Sequence, residues 1–425
     1  MVLLTDEKNK LKVNVKTTSR HIALSFIAAW QKSCRKGYAI LSASLFLAMA
    51  SPILIGCVRE PELHLHDGGD IVIKMPIVHL ELDVFWDYVS DLGIPYDWTK
   101  EWYYGWDDHD RELFGTLGYE EPDAFHIRRY YTGMTPKAPH TQALSNYVNG
   151  FVLETSFNWG FWDILAWNDI KTIDDIQSLV FDEATTLDSV TAYTNMTMNS
   201  SRYHAPQFTR SFYQPEGLFA AYEQGIDINR NLNDFYFDEE RGLWVKNINM
   251  LLEPITYIYL TQVIFHNNKG RVVAVEGNAN LSGMARSVVL NSGIAGSDAI
   301  AVDYNVRFKK DCNMNGESVD IAGGRLMSFG MCNINGTRFA KTRAGVTRAD
   351  DGLKHYMDVT MQFSNGMDST FVFDVTDQVQ TRYKGGVITV ELDMDTVPIP
   401  RRKGGSGFDA VVVDYEDGGT YEFDM

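Results

Sequence analysis

The stretch that decides the fold runs from residue 255 to residue 282, ITYIYLTQVIFHNNKGRVVAVEGNANLS. Two runs rich in β-branched and aromatic residues flank Asn268-Lys269-Gly270, and a short Gly-containing turn between such runs predicts a β-hairpin. The same pattern recurs downstream in MARSVVLN, DAIAVDYNVRF, HYMDVTMQFSNGMDSTFVFDVT and GVITVELDM. Asn365-Gly366 is the strongest short hairpin signal in the chain. Upstream, IVIKMPIVHLELDVFWDY alternates, with Val78, Leu80, Leu82 and Val84 on one face. NGFVLETSF, WDILAWN, QSLVFDE and SVTAYTN are further strands, and TQALSNYV predicts a short helix. Many short strands with turns between them predict an all-β fold of two tandem β-sandwich domains. The boundaries fall at 71–240 and 250–425, on either side of the polar, mixed stretch near 226–250.

The chain has 425 residues, enough for two or three domains. Its net charge of −18 argues against nucleic acid as a partner, because phosphate binding needs a basic face. The charge is unevenly spread. Residues 1–56 carry eight Lys and Arg against Asp6 and Glu7, a net of +6, which leaves −24 for the remainder. A basic head on an acidic body indicates a targeting segment.

Lys32, Arg35 and Lys36 precede an apolar stretch of signal-peptide length that ends Leu54-Ile55-Gly56-Cys57. This ending resembles the lipobox of bacterial lipoproteins. The thiol is alkylated with diacylglycerol, and the peptidase needs a small residue at the bond it cuts. Cleavage between Gly56 and Cys57 makes acylated Cys57 the first residue of the mature chain. Buried acyl chains contribute about 0.8 kcal/mol per methylene, so two or three anchor a protein stably. Residues 1–56 then form a signal region with an over-long basic head, and 57–70 a lipidated tether containing His64 and His66. Cys34 leaves with the head, so Cys312 and Cys332 remain. Export permits a disulfide between them. It would close a loop of about twenty residues and contribute on the order of 3 kcal/mol. Two separate buried thiols are the alternative.

No catalytic signature is present. The chain lacks a G-x-S-x-G elbow, H-E-x-x-H, a P-loop, C-x-x-C and an EF-hand loop, and its cysteines lack zinc spacing. Asp107, Asp108, His109 and Asp110 offer ligand types suited to a divalent cation, or else a solvated acidic loop. The reading is of a protein with no enzymatic activity, no cofactor and no metal. The densest feature is aromatic: YDWTKEWYYGW, with Trp98, Trp102, Tyr104 and Trp106, followed later by FNWGFWDILAW. Aromatic faces stack on sugar rings and anchor interfaces, but they also fill cores.

The lipobox, VFWDY, EWYYGWDD, FWDILAWND, LDSVTAYTN, QPEGLFAAYEQGI, TYIYLTQV and LSGMARSVVLN together resemble the fimbrillin-like surface lipoproteins of Bacteroidales. More narrowly, they resemble the branch known only as a domain of unknown function. The resemblance spans about residues 57–400. It implies two transthyretin-like, Greek-key β-sandwiches, lipidation at Cys57 and display at the outer membrane surface. In polymerising relatives an arginine-specific protease removes the first strand, and the vacated groove accepts a C-terminal strand from another subunit. Arg128-Arg129 is the candidate processing site, or else an ordinary structural pair. The arm 404–425 contains a candidate donor strand with Phe408, Val411 and Val413, or else a local hairpin across EDGG. A chain that keeps its lipid and its first strand would be a fimbrial anchor, an accessory or an adhesion component. Its partners would be the membrane, other fimbrial subunits, and a host or microbial glycan or protein ligand. The alternative is a glycan-binding lipoprotein of a polysaccharide uptake system.

Overall fold

The computed structural model describes residues 75–86, 92–170, 178–184, 187–197, 210–229, 231–333 and 353–400, together with the backbone of two strands beyond them. The strands run, in chain order, β1 (Ile77–Val84), β2 (Ala124–Gly133), β3 (Gln142–Asn149), β4 (Val152–Ser156), β5 (Gly160–Asn168), β6 (Leu179–Asp182), β7 (Thr191–Thr194), β8 (Ser211–Tyr213), β9 (Phe219–Ile228), β10 (Tyr236–Asp238) and β11 (Leu243–Pro254). They continue with β12 (Tyr257–His266), β13 (Val272–Ala285), β14 (Ser287–Val289), β15 (Ile294–Ala295), β16 (Ala299–Met314), β17 (Glu317–Ser328), β18 (Tyr356–Phe363), β19 (Asp368–Asp374), β20 (Gly386–Asp393), β21 (Asp409–Asp414) and β22 (Thr420–Asp424). Two short helices accompany them, α1 (Asp108–Phe114) and α2 (Thr376–Thr381). The all-β expectation holds.

The strands form two large curled sheets. The first has the order β3-β2-β5-β9-β11-β1-β4, with β10 added on β11; the second has β19-β18-β13-β16-β17-β12-β20, with β8 added on β16. The first sheet runs to Pro254, so the polar stretch near 226–250 lies within it, and only Ile255-Thr256 separates β11 from β12. A small sheet, β15-β14-β7-β6, covers part of the first sheet. There Tyr130, Leu165 and Trp167 pack against Val190, Ala192 and Val288.

The stretch 255–282 is two strands but not a hairpin. β12 pairs with β17 and β20, and β13 pairs with β16 and β18. Its turn is a corner between layers. Asn267, Lys269 and Gly270 all have positive φ. The buried Asn268 side chain accepts from the Val272 amide, and its own amide donates to the Val272 carbonyl and to Asp320. The chain is thereby carried to the opposite layer, where Val272, Ala279 and Leu281 face Tyr259, Val263 and Phe265 across the core of the second sandwich. The physical reason lies in β12 itself. Ile258, Leu260 and Ile264 on its other face are also buried, in the core shared with the first sheet. A strand buried on both faces sits inside a sheet and needs partners on both edges, which leaves no edge for the strand that follows it.

The Asn365-Gly366 signal does produce a hairpin, with β18 and β19 paired from Tyr356↔Asp374 to Gln362↔Asp368 and Gly366 at φ 74°. TQALSNYV is strand β3, not a helix, and pairs with β2 along its whole length. Leu144 and Val148, four residues apart, lie on one face in either conformation, so local spacing could not separate the two.

Candidate functional site

Three features carry the functional reading: the first strand, the C-terminal hairpin and the aromatic segment at 92–119.

β1 lies between β11 and β4. It pairs in parallel with β11 from Ile77↔Val245 to Val84↔Leu252 and antiparallel with β4 from Ile77↔Ser156 to Glu81↔Val152. Val78, Leu80 and Leu82 point inward and are buried, as the sequence alternation requires. On the outer face His79 meets Glu154 at 2.9 Å. Arg241, from the turn between β10 and β11, grips the same carboxylate through two nitrogens at 3.1 and 3.0 Å. Arg241 first, then His79, hold the Glu154 carboxyl below its ordinary range. β1 is thus fixed by two ladders, a buried face and an external clasp.

Arg128 and Arg129 lie in the middle of β2 and are buried. Arg128 donates to Glu183 at 3.1 Å, and the Arg129 guanidinium lies 4.7 Å from the Phe157 ring centroid. The folded chain does not display this pair, so the structural reading of the two arginines applies.

At the C-terminus, β21 and β22 pair antiparallel, with Val411 opposite Glu422 and a bulge between Val411 and Asp414 that contains Val413. The backbone of β21 runs beside β19, the edge strand of the second sheet, while forming its own two-stranded sheet with β22. Phe408, Gly56 and Cys57 lie outside the described residues.

The aromatic segment is a strap between the sheets, across the face of the second sheet that turns away from its own sandwich core. Trp102 and Tyr104 are buried and Trp98 and Trp106 half-buried, all within the core shared by the two sheets. The ring centroids of Trp102 lie 5.6 Å from those of Trp98, 5.7 Å from Tyr104 and 6.3 Å from Trp106. The segment is therefore mortar between layers, and Tyr96, Trp98, Tyr103 and Trp106 keep part of their surface exposed.

Four strands hold the strap. On β20, the Val387 amide donates to the Tyr96 hydroxyl at 2.6 Å. On β12, the fully buried Gln262 accepts from the Tyr103 and Tyr104 amides and donates to the Glu101 carbonyl and the Thr389 hydroxyl. On β17, Arg325 donates to the carbonyls of Leu117 and Gly118. Gly323 lies beneath Tyr104, where a Cβ would come within 2.5 Å of the ring. On β16, Arg307 and Lys309 reach the carboxylates of the Asp107-to-Asp110 turn.

That turn is a capped helix start. Asp107 accepts from the Asp110 amide and Asp110 accepts from the Asp107 amide, a reciprocal capping box at the N-terminus of α1. Asp110 is fully buried, with Tyr104 Oη donating to it at 2.8 Å and Arg307 at 2.7 Å. Partial burial works against the charge on Asp107, but the Asp110 amide, Lys309 and Arg307 outweigh it and hold that carboxyl far below its ordinary range. Lys309 also lies 3.9 Å from the Tyr104 ring centroid. The carboxylates that suggested a cation are neutralised by the chain's own cations, and among the described residues no cluster of three or more His, Cys, Asp or Glu suits a metal ion.

Cys312 and Cys332 are not joined to each other, which corrects the proposed bridge. Cys312 sits opposite Val319 near the start of β17, whereas Cys332 follows the end of β17. The nine steps from Val319 to Ser328 span about 30 Å at 3.3 Å per residue, far beyond the reach of a disulfide. Cys332 packs in the core under the small sheet and Cys312 against the shared core. Burial pushes the Cys312 thiol up, away from reactivity.

Sequence reasoning missed Gln262 and the Arg307–Lys309 pair. Gln262 was signalled by a side-chain amide inside a largely apolar strand, YLTQVIF. The basic pair gave no local signal, because its acids lie about two hundred residues earlier in the chain.

No family model matches the sequence, and no curated protein matches it. Among solved structures the chain is similar to a proposed adhesin from Bacteroides ovatus, at 14% identity and TM-score 0.42, covering 77% of this chain and 95% of that one. It is similar to a proposed adhesin from Bacteroides thetaiotaomicron at 9% identity and TM-score 0.39, covering 76% and 94%. It is also similar to the fimbrial anchor protein Mfa2 from Porphyromonas gingivalis at 10% identity and TM-score 0.33, covering 74% and 90%.

Proposed function

We propose that the protein is a non-enzymatic surface lipoprotein of the fimbrial kind, held at the outer membrane through acylated Cys57 and acting as an anchor, accessory or adhesion subunit. The observation that carries this reading is the filled slot of the first sheet. β1 is paired on both edges, buried on its inner face and clasped by His79, Glu154 and Arg241 on its outer face. A subunit that lengthens a polymer by strand addition must give up a strand to open its groove. A subunit that keeps its first strand ends a polymer or attaches it. The buried Arg128-Arg129 pair supports retention, because a protease cannot reach it in the folded chain.

The test has two arms. In cells fed labelled palmitate, the full chain is expected to carry label and to be cleaved by protease added outside intact cells; a Cys57→Ala chain that still incorporates label overturns the anchor. Deleting 404–425 is expected to abolish co-purification with fimbrial subunits while leaving the label in place. A truncated chain that still co-purifies overturns the C-terminal arm as the joining element.

A further inference from the structure

The start of β11 pairs with β10 alone. β11 meets β1 from Val245 onward and β9 only at Glu253 and Pro254, so Leu243 and Trp244 belong to a two-stranded ribbon. On one face of this ribbon Phe237 stands directly opposite Trp244, with ring centroids 5.2 Å apart. Tyr236 falls on the other face by strand alternation. The three rings are 48%, 41% and 50% exposed in that order, and none packs in the cores of the fold. Single exposed apolar residues are ordinary, but a contiguous aromatic patch marks an interaction site.

The next row inward shows what such rings hold. Lys246 lies two residues on from Trp244 and so on the same face. It sits 5.6 Å from the Phe235 ring centroid, donates to the Asp227 carbonyl at 2.9 Å and lies 3.7 Å from the Asp234 carboxylate. Ring, cation and carboxylate are all present there. The outer row has two rings and two carboxylates but no cation. Glu239 and Glu240, at the turn that follows β10, are exposed and have no ion-pair partner among the described residues. The cation of that turn, Arg241, is drawn off to Glu154 on the outer face of β1.

We propose that this ribbon is a docking surface for arginine side chains of a partner protein. A guanidinium stacks on the Phe237–Trp244 pair and is attracted by the ring faces. Its planar fork matches the carboxylates of Glu239 and Glu240. The acidic turn repels an anionic partner, and with it a second copy of this chain, whose net charge is −18. The inference requires neither acylation nor the retention of β1, so it stands apart from the anchor reading.

The probe is a labelled peptide of alternating Gly and Arg with four arginines, titrated against the full chain by anisotropy. It is expected to bind saturably and at least threefold more tightly than its lysine counterpart, because an ammonium does not stack as a guanidinium does. Phe237→Ser and Trp244→Ala, both at exposed side chains, are each expected to weaken binding at least fivefold. Glu239→Gln combined with Glu240→Gln is expected to weaken it by a similar factor and tests the surface without touching a ring. Tyr236→Ser, on the opposite face, is expected to leave binding unchanged. No saturable binding, equal affinity for the lysine peptide, or binding indifferent to Phe237→Ser overturns the proposal, since charge alone would then explain the attraction. Maltoheptaose binding that is lost in Phe237→Ser would make the surface a glycan platform and overturns it too, as does concentration-dependent dimerisation lost in the same variant.

Discussion

Two carboxylate groups flank the same face of β16 and meet opposite environments. At Arg307 and Lys309 the strand supplies cations, and Asp107 and Asp110 sit against them with every charge answered. Four residues earlier Asp303 stands opposite Asn280 on β13, and Asn280 stands opposite Asp358 on β18. The Asn280 amide donates to Asp358 at 3.2 Å, and the Ser211 hydroxyl donates to Asn280 at 2.6 Å. No cation reaches this row among the described residues, and Asp303 Oδ1 is buried without a hydrogen-bond partner. Burial pushes Asp303 up to about 6. It pushes Asp358 up to about 7, where the Asn280 hydrogen bond works downward and the Asp303 charge upward. Asp107, exposed and beside two cations, is held low, whereas Asp303 and Asp358, out of water and without a cation, are pushed up. Asp107 fastens the strap while ionised. The second group is most comfortable holding a proton.

This contrast is tested most severely at Asp110. Asp110→Ala leaves Arg307 and Lys309 without their buried partner and is expected to cost about 3–5 kcal/mol in denaturant unfolding. A loss below about 1 kcal/mol would mean that the strap is held by its aromatic rings alone. At the other group the sign reverses. Asp358→Asn keeps an acceptor for Asn280 and removes the buried charge, so it is expected to stabilise by about 2 kcal/mol at pH 8 and little at pH 5. The wild-type dependence follows from the direction of the shifts. A carboxyl raised in the folded state contributes stability in full below its ordinary value near 4 and loses it as pH climbs through 6 and 7. Thermal melts across pH 5–8 should show that decline, and it should be flattened in Asp358→Asn. Asp107 acts the other way, since its depressed value contributes stability that is lost only in strong acid. The smallest effect is expected at the thiols: with no bridge between Cys312 and Cys332, reductant should leave the melting temperature unchanged, and a fall of several degrees would show one.

Much of the fold was legible because strand alternation is local. Val78, Leu80 and Leu82 declared the inner face of β1, and Asn365-Gly366 declared the turn between β18 and β19. Apart from TQALSNYV, the failures were matters of partner. The Asn268-Lys269-Gly270 turn looks alike in a hairpin and in a corner between layers, and only the burial of both faces of β12 separates them. The aromatic cluster was visible by composition, but its role depends on Gln262, Gly323 and Arg325, which arrive more than 150 residues later in the chain. The acidic turn resembled a cation site for the same reason: its counter-ions are remote in sequence and adjacent in space.

The pairing of β1 has a mechanical consequence. The strand runs parallel to β11 and antiparallel to β4. A load drawn along its axis from the N-terminal side acts on the β11 and β4 ladders together, in shear, so their hydrogen bonds resist as a set. A strand peeled from one end would release them singly. β1 is therefore a strand along which this fold would bear tension well.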